Sequence, residues 1–552
     1  MLRYCRQTHP VNTLVQWTLA VFLLLTGQMM QAQYISSVTV PDKSRPPVID
    51  EKDLSVRYAN GISPSTLRDH LKILASDSLE GRETGKKGLE LAGDYISKNI
   101  RNLGLLPGGV DGSYYQPIAF TYSKWSSNNL FINQNRYRLL WDFISLPENN
   151  ASIDSFSVSE VVFLGYGVDD PKYSDYNKAD VRGKVILINN GEPFDNKGRS
   201  VITGNETPSA WSTDINKKLI AAKKRGVKLV LVIEEDIKKK LEDNRRKLLG
   251  GNLELGDKTI AVYDWANHIF ISSTVARDII GKNEKKVIKA RQKMSKGKPM
   301  SVILPAMANI NQSKEMKVID GKNVIGYIKG KSKPEEYVIV SAHYDHLGRR
   351  GDEIFNGADD NGSGTSTLLE LAQSCQQAVL EGNEPERSIV FMWFCGEEKG
   401  LLGSSYYSEN PVFPMSNTVV DINVDMVGRI DDKYKDDPDY IYVIGSDRLS
   451  SDLHRISEET NQKYTQLKLD YQYNSEKDPN NFYYRSDHYN FAKKGIPVIF
   501  YFNGTHEDYH RTTDDVEKIN FEKMAKVGKL IFHTLWELAN RPDRIVVDGV
   551  VK

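Results

Sequence analysis

The chain has 552 residues, more than one hydrophobic core usually organises, so its length predicts two domains or one domain with a large insertion. Hydrophobic residues make up 39% of the sequence and aromatic residues 10%, which is enough to bury substantial cores. The 73 basic residues equal the 73 acidic ones, which argues against nucleic acid as a partner and against electrostatic attraction to an anionic membrane.

The first 32 residues have the pattern of a secretory signal peptide. Arg3 and Arg6 lie in a short basic start, Leu19 to Leu25 form an apolar stretch, and small and polar residues follow as far as Ala32. This order predicts cleavage near Ala32 and export to the periplasm or the extracellular medium, with no stable membrane association afterwards. A retained membrane anchor is the alternative.

The next two segments are predicted to be a tether and a pair of packing helices. Residues 33–62 lack periodicity and contain three prolines, so we expect an N-terminal tether. Across 63–124 we expect two helices. Ser63 and Pro64 have the pattern of the start of the first, and Gly104 has the pattern of the end of the second. Apolar residues recur at helical spacing between them.

The pattern changes twice in the remainder of the chain. Residues 125–310 contain short strand-like runs and a helical segment around 215–224, which predicts a smaller inserted α/β domain. Across 311–545, apolar runs alternate with amphipathic helices. This alternation predicts an α/β fold with a mostly parallel mixed sheet flanked by helices.

The cysteines exclude some kinds of site. After the predicted cleavage, only Cys375 and Cys395 remain, too few for a disulfide framework or a four-cysteine zinc site. We expect both to be buried thiols, and their spacing does not say whether they pair.

Acidic and imidazole side chains follow the ends of three apolar runs in 311–545. His343 and Asp345 follow the first run, Glu397 and Glu398 the second, and Asp425 the third. In open α/β sheets, ligands bind at the carboxyl ends of the strands, so we expect these side chains to share one site.

These residue types suit metal-assisted hydrolysis. Zinc prefers imidazole nitrogen and carboxylate oxygen, and two histidines with three carboxylates suit two ions that share a bridging carboxylate. A loop containing Asp360 precedes a predicted helix and can present such a carboxylate, although an acidic helix cap is the alternative. Of the adjacent Glu397 and Glu398, one can bind metal while the other takes a proton from metal-bound water.

Taken together, these segments resemble the co-catalytic di-zinc aminopeptidase family, which also contains glutamate carboxypeptidase and glutaminyl cyclase members. The elements occur in the family's order across about 316–540. They are His343-x-Asp345, Asp360-Asn361-Gly362-Ser363-Gly364, Glu397-Glu398, Asp425 and Tyr509-His510.

The resemblance implies two zinc ions per chain, with Asp360 as the bridging ligand. The remaining ligands would be His343 and Asp425 on one ion and Glu398 and His510 on the other. It also implies that Glu397 is the general base, that Asp345 orients His343, and that Tyr509 donates a hydrogen bond to the oxyanion. The segment 485–488 is similar to one that lines substrate pockets in the family.

On this basis 63–124 and 311–545 are expected to form a di-zinc peptidase domain that removes N-terminal residues from peptide substrates. The insertion at 125–310 resembles a protease-associated domain, for which gating or substrate docking is the usual suggestion. The alternatives are a glutaminyl cyclase or carboxypeptidase of the same fold, and a noncatalytic binding protein.

Overall fold

The structure is a computed structural model that describes residues 37–260 and 262–549, so the predicted signal peptide lies outside the described residues. The chain divides into two compact units. The larger unit contains the residues up to Ile118 and from Asp320 onward, and the inserted unit is Ala119–Ile319. The predicted limits of the insertion, 125 and 310, lie inside those of the observed unit.

The predicted tether at 33–62 is wrong for the part that is described. Val38–Thr39 is a strand that pairs with Lys468–Asp470, and Leu54–Ala59 is a helix with a buried inner face. Elements of two and six residues are too short to show periodicity, and they are ordered by partners distant in sequence.

A mixed sheet organises the larger unit. Its four central strands are mutually parallel, and antiparallel strands lie on both sides of them. In spatial order, its strands in the larger unit are Val38–Thr39, Lys468–Asp470, Tyr440–Ile444, Val498–Phe502, Thr418–Val424, Lys333–His343, Arg387–Phe394 and the end of Ala308–Ile328. The predicted α/β fold class is therefore confirmed.

The central strands form because they are nearly continuous runs of apolar and β-branched residues. Arg387–Phe394 and Thr418–Val424 are buried at every position, as expected of parallel strands covered on both faces. The first strand of the series, Lys333–His343, lies between these two, so the chain order reverses at its carboxyl end. Such a reversal opens a crevice where ligands bind.

Helices accompany the sheet of the larger unit. They are Leu54–Ala59, Pro64–Leu74, Lys87–Leu103, Gly364–Leu380, Leu402–Glu409, Ser451–Thr460, His488–Ala492 and Phe521–Asn540. Gly364–Leu380 is buried around almost its whole circumference in its first turns, although its spacing predicts only one buried face. Other helices pack against it as well as the sheet, which accounts for the difference.

The inserted unit has a smaller sheet of its own. Its order is Val302–Leu304, Val161–Phe163, Val185–Asn189, Leu229–Ile233, His268–Ile271 and Phe143–Ile144. The four inner strands are parallel and the two edge strands are antiparallel. Its helices are Ala210–Thr213, Ile215–Lys224, Ile237–Gly250, Ser273–Ile280 and Glu284–Met294. The relation to protease-associated domains stays a prediction.

Two expectations about cysteines and membranes can be compared with the structure. Cys375 and Cys395 are both buried free thiols, as predicted. Within 37–260 and 262–549, no helix combines the length and the apolar character needed to cross a lipid bilayer.

The helix Pro64–Leu74 provides a test of the packing. Leu71 is fully buried, whereas Ile73 on the same helix is 44% exposed. We expect Leu71→Ala to lower the free energy of unfolding of the larger unit by about 2–5 kcal/mol, because it leaves a cavity. Ile73→Ala is the control and should change it by less than about 0.5 kcal/mol. Denaturant unfolding measures both, and equal effects would contradict the buried face.

Candidate metal centre

The candidate site lies where three parallel strands end. His343 is the last residue of Lys333–His343 and lies beside Phe394 in the neighbouring strand. Glu397 and Glu398 follow that neighbour after Gly396, whose φ of 74° makes a sharp turn that favours glycine. Asp425 follows the third strand, Thr418–Val424. The strand register therefore brings these side chains to one edge.

The Asp360 carboxylate is positioned by a loop that is fixed from two sides. The amides of Asp359 and Asp360 donate to the Asp514 carboxylate at 3.1 Å. Asn361 Nδ2 donates to the carbonyl oxygen of Val424 at 2.9 Å. The loop runs directly into the buried helix Gly364–Leu380, so its backbone is tied to the core.

Asp360 faces two groups of donor atoms with its two oxygens. Asp360 Oδ1 lies 3.4 Å from His343 Nε2, which is also 3.4 Å from Asp425 Oδ1. Asp360 Oδ2 lies 3.0 Å from His510 Nε2, which is 3.3 Å from Glu398 Oε1. The structure thus brings together all five residues that the resemblance assigns to metal.

These separations fit a bound cation. Donors that each lie about 2.0–2.1 Å from a tetrahedral zinc ion are separated from one another by about 3.3 Å. Asp425 Oδ1 is buried and has no hydrogen-bond partner among the described residues, although Oδ2 of the same carboxylate accepts from Ser486 Oγ at 2.7 Å. A buried carboxylate oxygen without a partner is costly unless a cation neutralises it.

The electrostatics of the site also call for positive charge. Burial alone would lower the pKa of His510, but the Glu398 and Asp360 carboxylates raise it to about 10. Burial would likewise lower the pKa of His343, yet Asp425 and Glu397 raise it well above its usual value. The buried carboxylates therefore favour positive charge at both imidazoles, which a divalent cation bound there would supply instead.

The adjacent glutamates have opposite environments. Burial raises the pKa of Glu397 well above its usual range, and its side chain is 12% exposed with Oε2 3.9 Å from His343 Nε2. Burial also acts to raise the pKa of Glu398, but the imidazole of His510 holds it well below its usual value. The pKa values of the two glutamates are thus shifted in opposite directions, which suits a division of roles between a proton carrier and a charged ligand.

Asp345 contacts His343 through its main chain. With the imidazole proton on Nδ1, His343 donates to the carbonyl oxygen of Asp345 at 3.1 Å, while the Asp345 carboxylate is 3.8 Å away. That carboxylate instead accepts from Thr84 Oγ1 at 2.8 Å and from the Glu397 amide at 3.1 Å. Asp345 therefore links its own loop, which follows Lys333–His343, to the loop that follows Arg387–Phe394 and carries Glu397.

Tyr509 lines a cavity of about 30 Å³ above the donor groups. Its ring stacks on His510 with centroids 3.9 Å apart, and its hydroxyl accepts from Arg485 Nη2 at 3.2 Å. Burial holds the pKa of Tyr509 well above its usual value, so the hydroxyl keeps its proton. The apolar part of the wall consists of Met426, Phe482, Phe500 and Phe502.

One part of the site is not predicted from the sequence. Arg82 is fully buried and donates to four carbonyl oxygens, those of Leu74, Tyr344, Asn356 and Gly357. Three of these oxygens, those of Tyr344, Asn356 and Gly357, belong to the loops that carry His343 and Asp360. Lys399, next to Glu398, pairs at 2.8 Å with Glu83. No sequence pattern distinguishes an arginine between two helices from a surface residue, so the role of Arg82 is evident only from its burial in the structure.

Comparisons with known proteins find similarity to peptidases. The model of peptidase family M28 matches residues 323–535. A probable leucine aminopeptidase of Trichophyton verrucosum is 33% identical over 220 residues, 38% of this chain and 56% of that protein. Aminopeptidase YwaD of Bacillus subtilis is 30% identical over 228 residues, 40% of this chain and 45% of that protein. The chain thus spans about half the length of these curated relatives.

Two further matches bear on zinc and on fold. A probable zinc metalloprotease of Pyrenophora tritici-repentis is 28% identical over 262 residues, 40% of this chain and 52% of that protein. The solved aminopeptidase from Aneurinibacillus sp. strain AM-1 aligns with a TM-score of 0.53 at 18% identity, over 90% of this chain and 98% of that one. The structural match supports the fold alone.

Arg82 gives a prediction for this site. We expect Arg82→Met to lower the free energy of unfolding by about 3–5 kcal/mol, because it removes a buried charge from its partners. We also expect metal affinity to fall about 10–100-fold, because two site loops lose a shared support. Lys86→Met is the control, since Lys86 is exposed and carries the same charge. Metal titration of folded protein measures the effect, and equal affinities for both variants would contradict it.

Proposed function

We propose that the chain is a zinc-dependent exopeptidase that removes N-terminal residues from peptides, because the model of peptidase family M28 matches residues 323–535. The observation that carries the proposal is the position of Asp360, whose two oxygens face separate groups of donors. The aminopeptidase names of the relatives favour cleavage at the amino end rather than the carboxyl end.

Two zinc ions per chain belong to the same proposal. Asp360 would bridge them, with His343 and Asp425 holding one ion and Glu398 and His510 the other. When bound, zinc acts as a Lewis acid and lowers the pKa of water, which makes a nucleophile available at neutral pH.

Glu397 is the residue that moves the proton. Its carboxylate faces His343 but is not among the atoms that form the donor groups, and Oε2 lies 3.9 Å from His343 Nε2. It accepts the proton of the attacking water on Oε2 and then delivers it to the departing amine. The hydrogen bond from its amide to Asp345 Oδ1 holds Glu397 in place while this happens.

Tyr509 stabilises the charge that develops on the substrate oxygen. Because its hydroxyl oxygen accepts from Arg485, the hydroxyl proton is available to the cavity. It donates there to the oxyanion of the tetrahedral intermediate.

Peptides are the substrates on this proposal, and export follows from the pattern of residues 1–32. A docking role for the inserted unit stays a prediction.

Glu397→Gln tests the assignment of the base. We expect turnover to fall about 10²–10⁴-fold while zinc content stays close to that of the unchanged protein, because the variant loses a base and no ligand. Glu398→Gln is the contrasting variant and should lose zinc as well. Metal analysis and initial rates on the same preparations give both quantities, and full activity in Glu397→Gln would exclude it as the base.

The choice of peptide end is tested with matched peptides that have free or acetylated N-termini. We expect release of amino acids from the free-amine peptide alone, loss of release after chelation, and recovery when zinc is returned. Cleavage of both peptides would indicate a carboxypeptidase or an endopeptidase. No cleavage at all would favour a cyclase, which cyclisation of an N-terminal glutamine peptide would reveal, or a binding protein.

A further inference from the structure

A third histidine reaches the site from the strand end that carries His343. His346 is fully buried, and neither of its ring nitrogens has a hydrogen-bond partner among the described residues. Its Nδ1 lies 2.9 Å from Glu398 Oε1 and 3.8 Å from Asp360 Oδ2. Together these three residues form a compact, buried group of possible metal donors.

The contact between His346 and Glu398 is close but does not have the geometry of a hydrogen bond. The two atoms are 2.9 Å apart, against roughly 3.3 Å between two ligands of one tetrahedral zinc ion, so binding one cation requires a shift of only about 0.4 Å. A buried imidazole without a hydrogen-bond partner is unfavourable, and a bound cation would remove that cost.

The ring of His346 is held in this orientation by the surrounding backbone. The backbone amide of His346 donates to the carbonyl oxygen of Arg82 at 3.2 Å. Gly357 passes so close that a Cβ built there would lie 2.4 Å from His346 Cδ2, and its φ of 56° also favours glycine. The imidazole is therefore packed with Nδ1 facing the carboxylates.

We propose that His346 Nδ1 is an additional protein ligand on the Glu398 side of the metal centre. The two sides are then unequal. Three protein donors, from His343, Asp360 and Asp425, hold one ion, whereas Asp360, Glu398, His510 and His346 provide four donors for the other. This inference deepens the proposed function and rests on the same zinc site.

The inequality has a chemical consequence. Four protein donors complete a tetrahedral zinc shell, which is typical of structural sites, whereas three leave a position open for water or substrate. The Glu398 side therefore binds zinc first and more tightly. The side of His343 and Asp425, which Glu397 also faces, holds the exchangeable ion.

The test uses the full mature chain freed of metal with a chelator and then titrated with zinc. X-ray absorption at one equivalent of zinc counts the imidazoles bound to the tighter ion and needs no variant. We expect two, from His346 and His510, and a single imidazole would overturn the proposal.

His346→Gln provides the second measurement. Zinc affinity of the tighter side should fall by more than about 100-fold, beyond the roughly 10–100-fold lost when an outer partner of a ligand is removed. A smaller loss would make His346 such an outer partner and contradict direct binding. His268→Gln in the inserted unit is the matched control, since His268 is also buried with Nδ1 unpartnered. It should leave both zinc affinities unchanged.

Failure of this inference can be distinguished from failure of the proposed function. If the unchanged protein binds no zinc, the metal-dependent hydrolysis itself is excluded. If it binds two ions and hydrolyses peptides but shows one imidazole at the tighter ion, only the role of His346 is excluded.

Discussion

The buried carboxylate of Asp360 is the constraint on which the rest of the site depends. It lies between two groups of donors, and other buried acids surround it. Removing such charges from water costs several kcal/mol for each ion unless opposite charge and hydrogen bonds compensate. The surrounding structure therefore has to supply cations and fixed dipoles at this one edge of the sheet.

The parallel strands position the buried carboxylates. The flanking loops supply the hydrogen bonds and the positive charge that compensate for their burial. Asp514 orders the Asp360 loop by accepting two of its amides, and Thr84 donates to Asp345. Arg82 adds a positive charge beneath the carboxylates, and burial lowers its pKa only to about 10, so it stays charged. The segment before the helix Lys87–Leu103 is thus part of the site, although it contributes no donor to the metal groups.

The sequence alone predicts the strands and the edge of the sheet where the site lies, because both depend on local residue patterns. Apolar runs such as 389–394 and 419–424 identify the strands, and the acids immediately after them identify the site edge, because a strand end fixes where its next residues lie. The contacts of Arg82 with Tyr344 and of Thr84 with Asp345 join residues more than 250 positions apart. Their partners are main-chain oxygens and a shared carboxylate, which leave no spacing signal, so these roles require the folded structure.

The environment of Asp425 shows how the core itself selects which carboxylate oxygen faces His343. Asn423 Nδ2 donates to Ser486 Oγ at 2.8 Å, and Ser486 Oγ donates in turn to Asp425 Oδ2 at 2.7 Å. Ser341, in the adjacent strand, donates to the buried Asp421 at 2.7 Å. In a low-dielectric interior such a chain of hydrogen bonds is strong and rigid. Because it engages Oδ2, it leaves Oδ1 directed at His343, and the chemistry of the edge is fixed from within the sheet.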